Sequence, residues 1–236
     1  MSTLVLAAHG SADPRSPATA HAVADEIGRL RPGLAVRVGF CERSEPDLRD
    51  VLAGAGTGAV VAPLLLADAY HARVDIPGLI AQSAPDRVRQ AGVLGEDPRL
   101  VAVLRERVCG LGVSRCDRRV GVIVVAVGSS WDMVNARTAA VAPAAAAGTR
   151  WAGALTAFAT GPRPTLDEAA RTLRRRGATQ LVIAPWFLAP GRLTDRVAGY
   201  ARDNGLPMAP PLGAHPLVAA TVLDRFDDAV AGLAAA

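Results

Sequence analysis

Lysine is absent from this 236-residue chain, so all 26 basic side chains are arginine. The absence excludes a Schiff-base lysine and the P-loop lysine of most nucleotide-hydrolysing enzymes. Aromatics are scarce at 4% and the net charge is only +4, which argues against a nucleic-acid surface of interleaved basic and stacking residues. The cysteines, Cys41, Cys109 and Cys116, are few and odd in number, which argues against a disulfide framework. Reduced thiols are expected, and the spacing of Cys109 and Cys116 does not match the tight pairs of a structural zinc site. No apolar run approaches the roughly 20 residues that cross a bilayer. The opening MSTLVLAAHG has no basic leader, and its apolar stretch is too short for a signal peptide. The expectation is a cytoplasmic protein with no membrane and no nucleic acid among its partners. A modest arginine excess suits an anionic small molecule, because guanidinium pairs bidentately with carboxylate. The plain alternative is that arginine simply stands in for lysine.

Half of the residues are hydrophobic, enough for a substantial core. In the first half, strand-like runs at Leu4 to Ala8, Ala35 to Cys41 and Ala59 to Leu66 alternate with amphipathic segments near 17–30, 46–54 and 74–88. Short apolar strands alternating with helices predict an α/β fold with parallel sheets.

The pattern restarts at Val120. At a shift of 118 positions Gly10 and Ser11 fall on Gly128 and Ser129, Phe40 and Pro46 on Phe158 and Pro164, and Leu94 and Arg107 on Leu212 and Arg225. In the third strand Ala62, Pro63 and Leu66 meet Ala184, Pro185 and Leu188 at a shift of 122, so four residues of loop length absorb the difference. Two tandem homologous domains are expected, at 1–113 and 118–236, each with about four parallel strands flanked by helices. The natural ligand site is a cleft between them, and a monomer with an internal pseudo-dimer is the expected state. In open α/β sheets ligands bind beyond the carboxyl ends of the strands.

Three polar residues lie at such ends. His9 follows strand one, Glu42 follows strand two, and His71 lies in the loop after strand three. Two imidazoles and a carboxylate suit a borderline divalent ion, and three protein ligands leave coordination positions open for chemistry. Taken singly, each residue has an ordinary reading as a strand-end, solvated or loop residue. The repeat argues otherwise, because the matching positions are Val127, Thr160 and Leu193, none of which can form such a site. Ser11 precedes a helix start with Asp13, Pro14 and Ser16 as cap candidates. Arg15, Arg43 and Arg73 flank the three positions and are candidates to bind substrate carboxylates. Asp75 is placed either to cap a helix or to hydrogen-bond His71. His21 and His215 are not expected to be ligands.

The AHGS opening followed by Asp13-Pro14-Arg15, the FCERSEP segment with Glu42, and PLLLADAYHARVDIP with His71 resemble the sirohydrochlorin chelatases of the CbiX or SirB type. The resemblance covers the whole chain, since the second half, with APWFLAPGRLTDRV, looks like the catalytically silent half of the long, two-domain members. The loop before His71 reads ADAYH, where members commonly carry Pro and Gly. The resemblance implies a lyase-type chelatase inserting Fe²⁺ or Co²⁺ into sirohydrochlorin, on the way to sirohaem or a cobalamin precursor. It implies His9, Glu42 and His71 as both metal-binding and catalytic residues; Ser11, Arg15, Arg43 and Arg73 are expected to be substrate-binding from their places beside those three. The metal is a substrate, and no organic cofactor is implied. Beside it stand an α/β binding module whose cleft holds an anion without metal, and two readings that give the histidines a task. One is a metal-binding or metal-delivery protein with the same three ligands. The other is a histidine phosphatase, which would carry Arg before its nucleophilic His; here the position is Ala8.

Overall fold

A computed structural model describes residues 3–83 and 88–234. It contains two parallel sheets in two compact units, residues 1–95 with 214–236 and residues 96–213.

In the first unit β1 (Thr3–Ala8), α1 (Arg15–Leu30), β2 (Ala35–Phe40), α2 (Leu48–Ala53) and β3 (Ala59–Pro63) follow in order. A π-helical turn at His71–Asp75 then runs into α3 (Ile76–Ser83), and β4 (Val88–Gln90) completes a sheet of order β2-β1-β3-β4. The central strands have helices on both faces, which is why they read as unbroken apolar runs rather than alternating ones. Leu4, Val5, Leu6 and Ala7 are wholly buried. Val5, Ala7 and Val61 pack against Leu48 and Leu52 of α2 and Ile76, Leu79 and Ile80 of α3.

The intervening α4 (Pro98–Cys109) and the second unit's β5 (Val120–Ala126), α5 (Asp132–Ala139), α6 (Val141–Ala146) and β6 (Gly153–Phe158) come next. They are followed by α7 (Leu166–Arg175), β7 (Gln180–Pro185), α8 (Arg192–Asp203) and the final α9 (Pro216–Ala234). The sheet order here is β6-β5-β7, with a single parallel bridge, Ile183 to Met208, where the first unit has β4. Thr165 opens α7 with a reciprocal cap: its hydroxyl accepts from the Glu168 amide, and the Glu168 carboxylate accepts from the Thr165 amide.

Backbone hydrogen bonds give the repeat its register. Cys41 N donates to Ala8 O and Glu42 N to His9 O, as Ala159 N does to Ala126 O and Thr160 N to Val127 O. Leu64 N donates to Ala7 O as Trp186 N does to Val125 O, which carries the longer shift of the third strand.

The repeats and the compact units are not the same segments. The helix that ends the first repeat, α4, packs on α6 and β7, and α9, which ends the second, packs on α1 and β3. Leu100, Val103 and Leu104 of α4 are wholly buried. An arginine anchors each helix: Arg107 donates to Leu212 O at 3.0 Å, and its repeat mate Arg225 donates to Val93 O at 3.0 Å and Leu94 O at 3.1 Å.

Several boundaries differ from the sequence reading. The second and third strands stop at Phe40 and Pro63 rather than Cys41 and Leu66, because the following residues turn away into loops. The helix expected over 74–88 is divided: a π-helical turn, α3, residues 84–87 outside the described set, and then β4.

Candidate functional site

The chain runs out from β1 to β2 on one side and returns to β3 on the other, so loops leaving the carboxyl ends of β1 and β3 flank the crossover point of the sheet. His9 stands directly after β1, and His71 opens the π-helical turn that follows β3. Their imidazole centroids are 4.1 Å apart, with ring planes inclined by 42°. Glu42, two residues past the end of β2, places Oε1 3.4 Å from His9 Nε2.

Local chain geometry brings the β1 and β2 loops together. Gly10 has φ of +91°, and a Cβ built on it would lie 1.7 Å from the carbonyl oxygen of Glu42. Only glycine lets the two backbones approach this closely. Ser11 and Ser44 fasten the same loops: the Ser11 amide donates to Ser44 Oγ at 3.0 Å, and Ser44 Oγ donates to Ser11 O at 2.9 Å. Ser11 Oγ accepts from the Asp13 amide, so Ser11 has a structural task at this turn. Arg43 adopts φ of +58°, a left-handed conformation uncommon for a residue with a side chain, next to Glu42.

His71 Nδ1 lies 2.5 Å from Asp75 Oδ2, at the other end of the π-helical turn. Of the two roles the sequence left open for Asp75, the structure has the hydrogen bond to the histidine. A cavity of about 410 Å³ is lined by His9, Glu42, His71, Asp75, Cys41, Arg49 and Gln82, among others. Arg49 and Gln82 were not singled out in the sequence. The only sequence signal for Arg49 was its place two residues after Asp47, whose carboxylate caps α2 by accepting from the Arg49 amide at 2.8 Å.

Burial, followed by the proximity of His71, lowers the pKa of His9. Its imidazole is therefore neutral at physiological pH, with a nitrogen lone pair available to a metal. Among the described residues, His9 Nδ1 is buried without a hydrogen-bond partner. Burial also pushes the Cys41 thiol up to about 11, with Asp75, Asp47 and Glu42 adding to the effect.

The flanking arginines each hold a carboxylate of the chain itself. Arg15 pairs with Asp13 at 2.6 Å, Arg73 with Asp68 at 2.6 Å, and Arg43 Nε with Glu42 Oε1 at 3.2 Å. All three side chains are largely exposed. Asp13 also accepts from the Arg15 amide, so the start of α1 already carries a carboxylate. Among the described residues, no group of three or more His, Cys, Asp and Glu side chains closes on one metal position. His21 packs edge-on against Phe40, and His215 Nδ1 accepts from the Leu217 amide at the start of α9.

The second unit has the backbone of this region without its donors. Gly128 has φ of +96°, and a Cβ there would meet Gly161 O at 1.8 Å. Ser129 repeats the backbone clamp of Ser11 through the Asn135 amide: Ser129 N donates to Asn135 Oδ1 at 2.8 Å, and Asn135 Nδ2 donates to Ser129 O at 2.7 Å. Val127 stands where His9 does and is exposed, Thr160 Oγ1 donates to Val127 O at 2.7 Å, and Leu193 packs on the core.

Comparison with known proteins agrees with this layout. The CbiX family model matches residues 3–111 and again residues 121–229. A sirohydrochlorin cobaltochelatase of Methanosarcina acetivorans is 39% identical over 77 residues, which are 31% of this chain and 59% of that protein. A coproporphyrin III ferrochelatase of Frankia alni is 42% identical over 89 residues, 31% of this chain and 23% of that protein. The chain thus spans less than two thirds of the length of either curated relative. Among solved structures, SirB from Bacillus subtilis with Fe³⁺ superposes with a TM-score of 0.84 at 21% identity, covering 99% of this chain and 97% of that one. The sirohydrochlorin chelatase SirB of Bacillus subtilis subspecies spizizenii in complex with cobalt gives a TM-score of 0.78 at 20% identity, covering 97% and 95%. At these identities the superpositions speak for the fold. With both repeats matched by one family model and the same two-sheet architecture, the chain belongs to the CbiX family.

Proposed function

We propose that this protein inserts a divalent metal ion, Fe²⁺ or Co²⁺, into sirohydrochlorin or a similarly carboxylate-rich tetrapyrrole, and that His9, Glu42 and His71 receive the ion. The observation that carries this reading is the pair of imidazoles 4.1 Å apart, with Glu42 beside one of them, at the crossover point of the first sheet. Such a set binds a divalent ion through neutral nitrogens and a carboxylate. A site that must pass its ion on gains from being incomplete. A closed protein cage would retain the metal, whereas an open one leaves positions for water and for the pyrrole nitrogens.

The reaction balances as one metal dication entering and two pyrrole N–H protons leaving. The imidazoles and Glu42 are the bases at hand to accept those protons, provided the macrocycle lies within hydrogen-bond reach. Arg49, on the cavity wall, is a cation suited to a substrate carboxylate, with its Nη1 already 3.4 Å from Asp47 Oδ2. Arg15, Arg43 and Arg73 serve the same purpose only if a substrate carboxylate displaces or shares their present partners.

Anaerobic incubation with sirohydrochlorin and either Fe²⁺ or Co²⁺, followed by absorbance, tests the proposal. Insertion with wild-type protein and its loss in the histidine variants is expected. Tight metal binding without insertion would make this a metal-delivery protein instead.

A further inference from the structure

The two histidines of the site are held differently. His71 and Asp75 are the first and last residues of the π-helical turn, and the carboxylate meets Nδ1 at 2.5 Å. A carboxylate accepts, so in the neutral imidazole the nitrogen facing it is the protonated one and Nε2 is the one with the lone pair. The turn is itself tied down: Gln90 Nε2, at the end of β4, donates to the Ala72 carbonyl at 2.7 Å. By contrast, among the described residues His9 Nδ1 has no hydrogen-bond partner, and its Nε2 faces Glu42.

We propose that Asp75 is a positioning residue, which fixes His71 as the Nδ1–H tautomer and holds its ring so that the Nε2 lone pair is set in advance for the incoming divalent ion. This rests on the reading of His71 as a metal-binding residue. A π-helical turn, short and frequent at functional sites, makes the pairing local: both partners belong to one turn, and orientation does not depend on a distant element. A carboxylate behind a ligating imidazole both orients the ring and raises the basicity of the ligating nitrogen.

The test uses the full chain with Asp75→Asn, which preserves size but gives a side chain whose amide can donate to Nδ1 and favour the other tautomer. Long-range proton–nitrogen correlation spectra, with His71 assigned through His71→Gln, read the tautomer directly. Titration with Co²⁺ alone reads the affinity. The wild type is expected to show protonated Nδ1 and bare Nε2 at His71. Asp75→Asn is expected to show the other tautomer or a mixture, to bind Co²⁺ roughly 10- to 100-fold more weakly at an unchanged thermal midpoint, and to raise KM for metal while leaving KM for tetrapyrrole alone. Asp75→Glu, which restores a carboxylate, should recover part of the affinity. A wild-type His71 protonated at Nε2, or an Asp75→Asn variant that binds Co²⁺ as the wild type does, overturns the proposal. The two readings fail separately. If the tautomer and Co²⁺ results hold but no insertion is seen, the chelatase reading is wrong and the positioning role stands. If insertion is robust while Asp75→Asn changes neither tautomer nor affinity, the reverse is true.

Discussion

Arg225 reaches back across 131 residues of sequence to donate a hydrogen bond from Nη2 to the carbonyl of Leu94, at 3.1 Å, with Nε on Val93 O beside it. Charged donors to backbone carbonyls contribute more than neutral ones. Arg225→Leu keeps much of the side chain's apolar stem while removing both donors. It should lower unfolding free energy by about 2 kcal/mol. Urea titration checks this, and an unchanged midpoint would show that the anchor adds nothing to stability.

His9→Ala and His71→Ala should each remove most metal insertion while the protein stays folded. Both rings are roughly half exposed, so truncation costs little packing. Turnover and circular dichroism on the same samples make the comparison. Turnover close to wild type in both would sink the site assignment.

Gly10→Ala should be far more disruptive than its size suggests. The new methyl would lie 1.7 Å from Glu42 O, on a backbone whose φ of +91° already disfavours a side chain. The β1 and β2 loops would have to part, moving His9 and Glu42 relative to each other. A stability loss of about 2 kcal/mol or more is expected, together with weakened Co²⁺ binding. Calorimetry of unfolding and of binding measures the two effects.

Cysteine labelling follows the pKa shift of Cys41. Burial raises its pKa to about 11, so at pH 8 the thiolate, which is the reactive form, amounts to roughly one part in a thousand. Cys116 is exposed and should react first with iodoacetamide at that pH. Labelling of Cys41 in the folded protein should rise as the pH climbs toward 11. Mass spectrometry of the digested product reads the order, and rapid labelling of Cys41 at pH 8 would contradict it.

Metal stoichiometry tests the difference between the repeats. Val127→Ala combined with Thr160→Ala should leave one bound Co²⁺ per chain, because neither side chain offers the second unit a metal donor like those of His9 and Glu42. His9→Ala combined with Glu42→Ala should abolish it. A second tightly held equivalent in the wild type would contradict the one-site reading.

The succession of strands along the chain was legible because each central strand is covered on both faces and so reads as a continuous apolar run. The positions of His9, Glu42 and His71 were legible because they follow those runs. Internal repetition showed which positions had donors in one copy only. What the sequence hid depended on short-range backbone geometry. The segment 74–88 reads as one helix in sequence, yet the described residues there belong to a π-helical turn, a helix and a strand, and periodicity does not register a one-residue widening of a turn. Arg49 escaped notice because its place on the cavity wall follows from how α2 leaves the β2 loop, which no spacing encodes. The flanking arginines were seen, but their intramolecular carboxylates were not: Asp68 and Asp13 are close in sequence, yet only geometry shows them engaged.

The placement of α4 and α9 has a consequence for synthesis. Residues 96–213 form one uninterrupted stretch with every helix of their unit included, whereas the first unit is assembled from two stretches and lacks its last helix until α9 has been made. A chain emerging amino end first therefore finishes the central, donor-poor unit before the one that carries His9 and His71. Assembly of the unit that carries His9 and His71 therefore waits on α9, which follows the central unit in the chain.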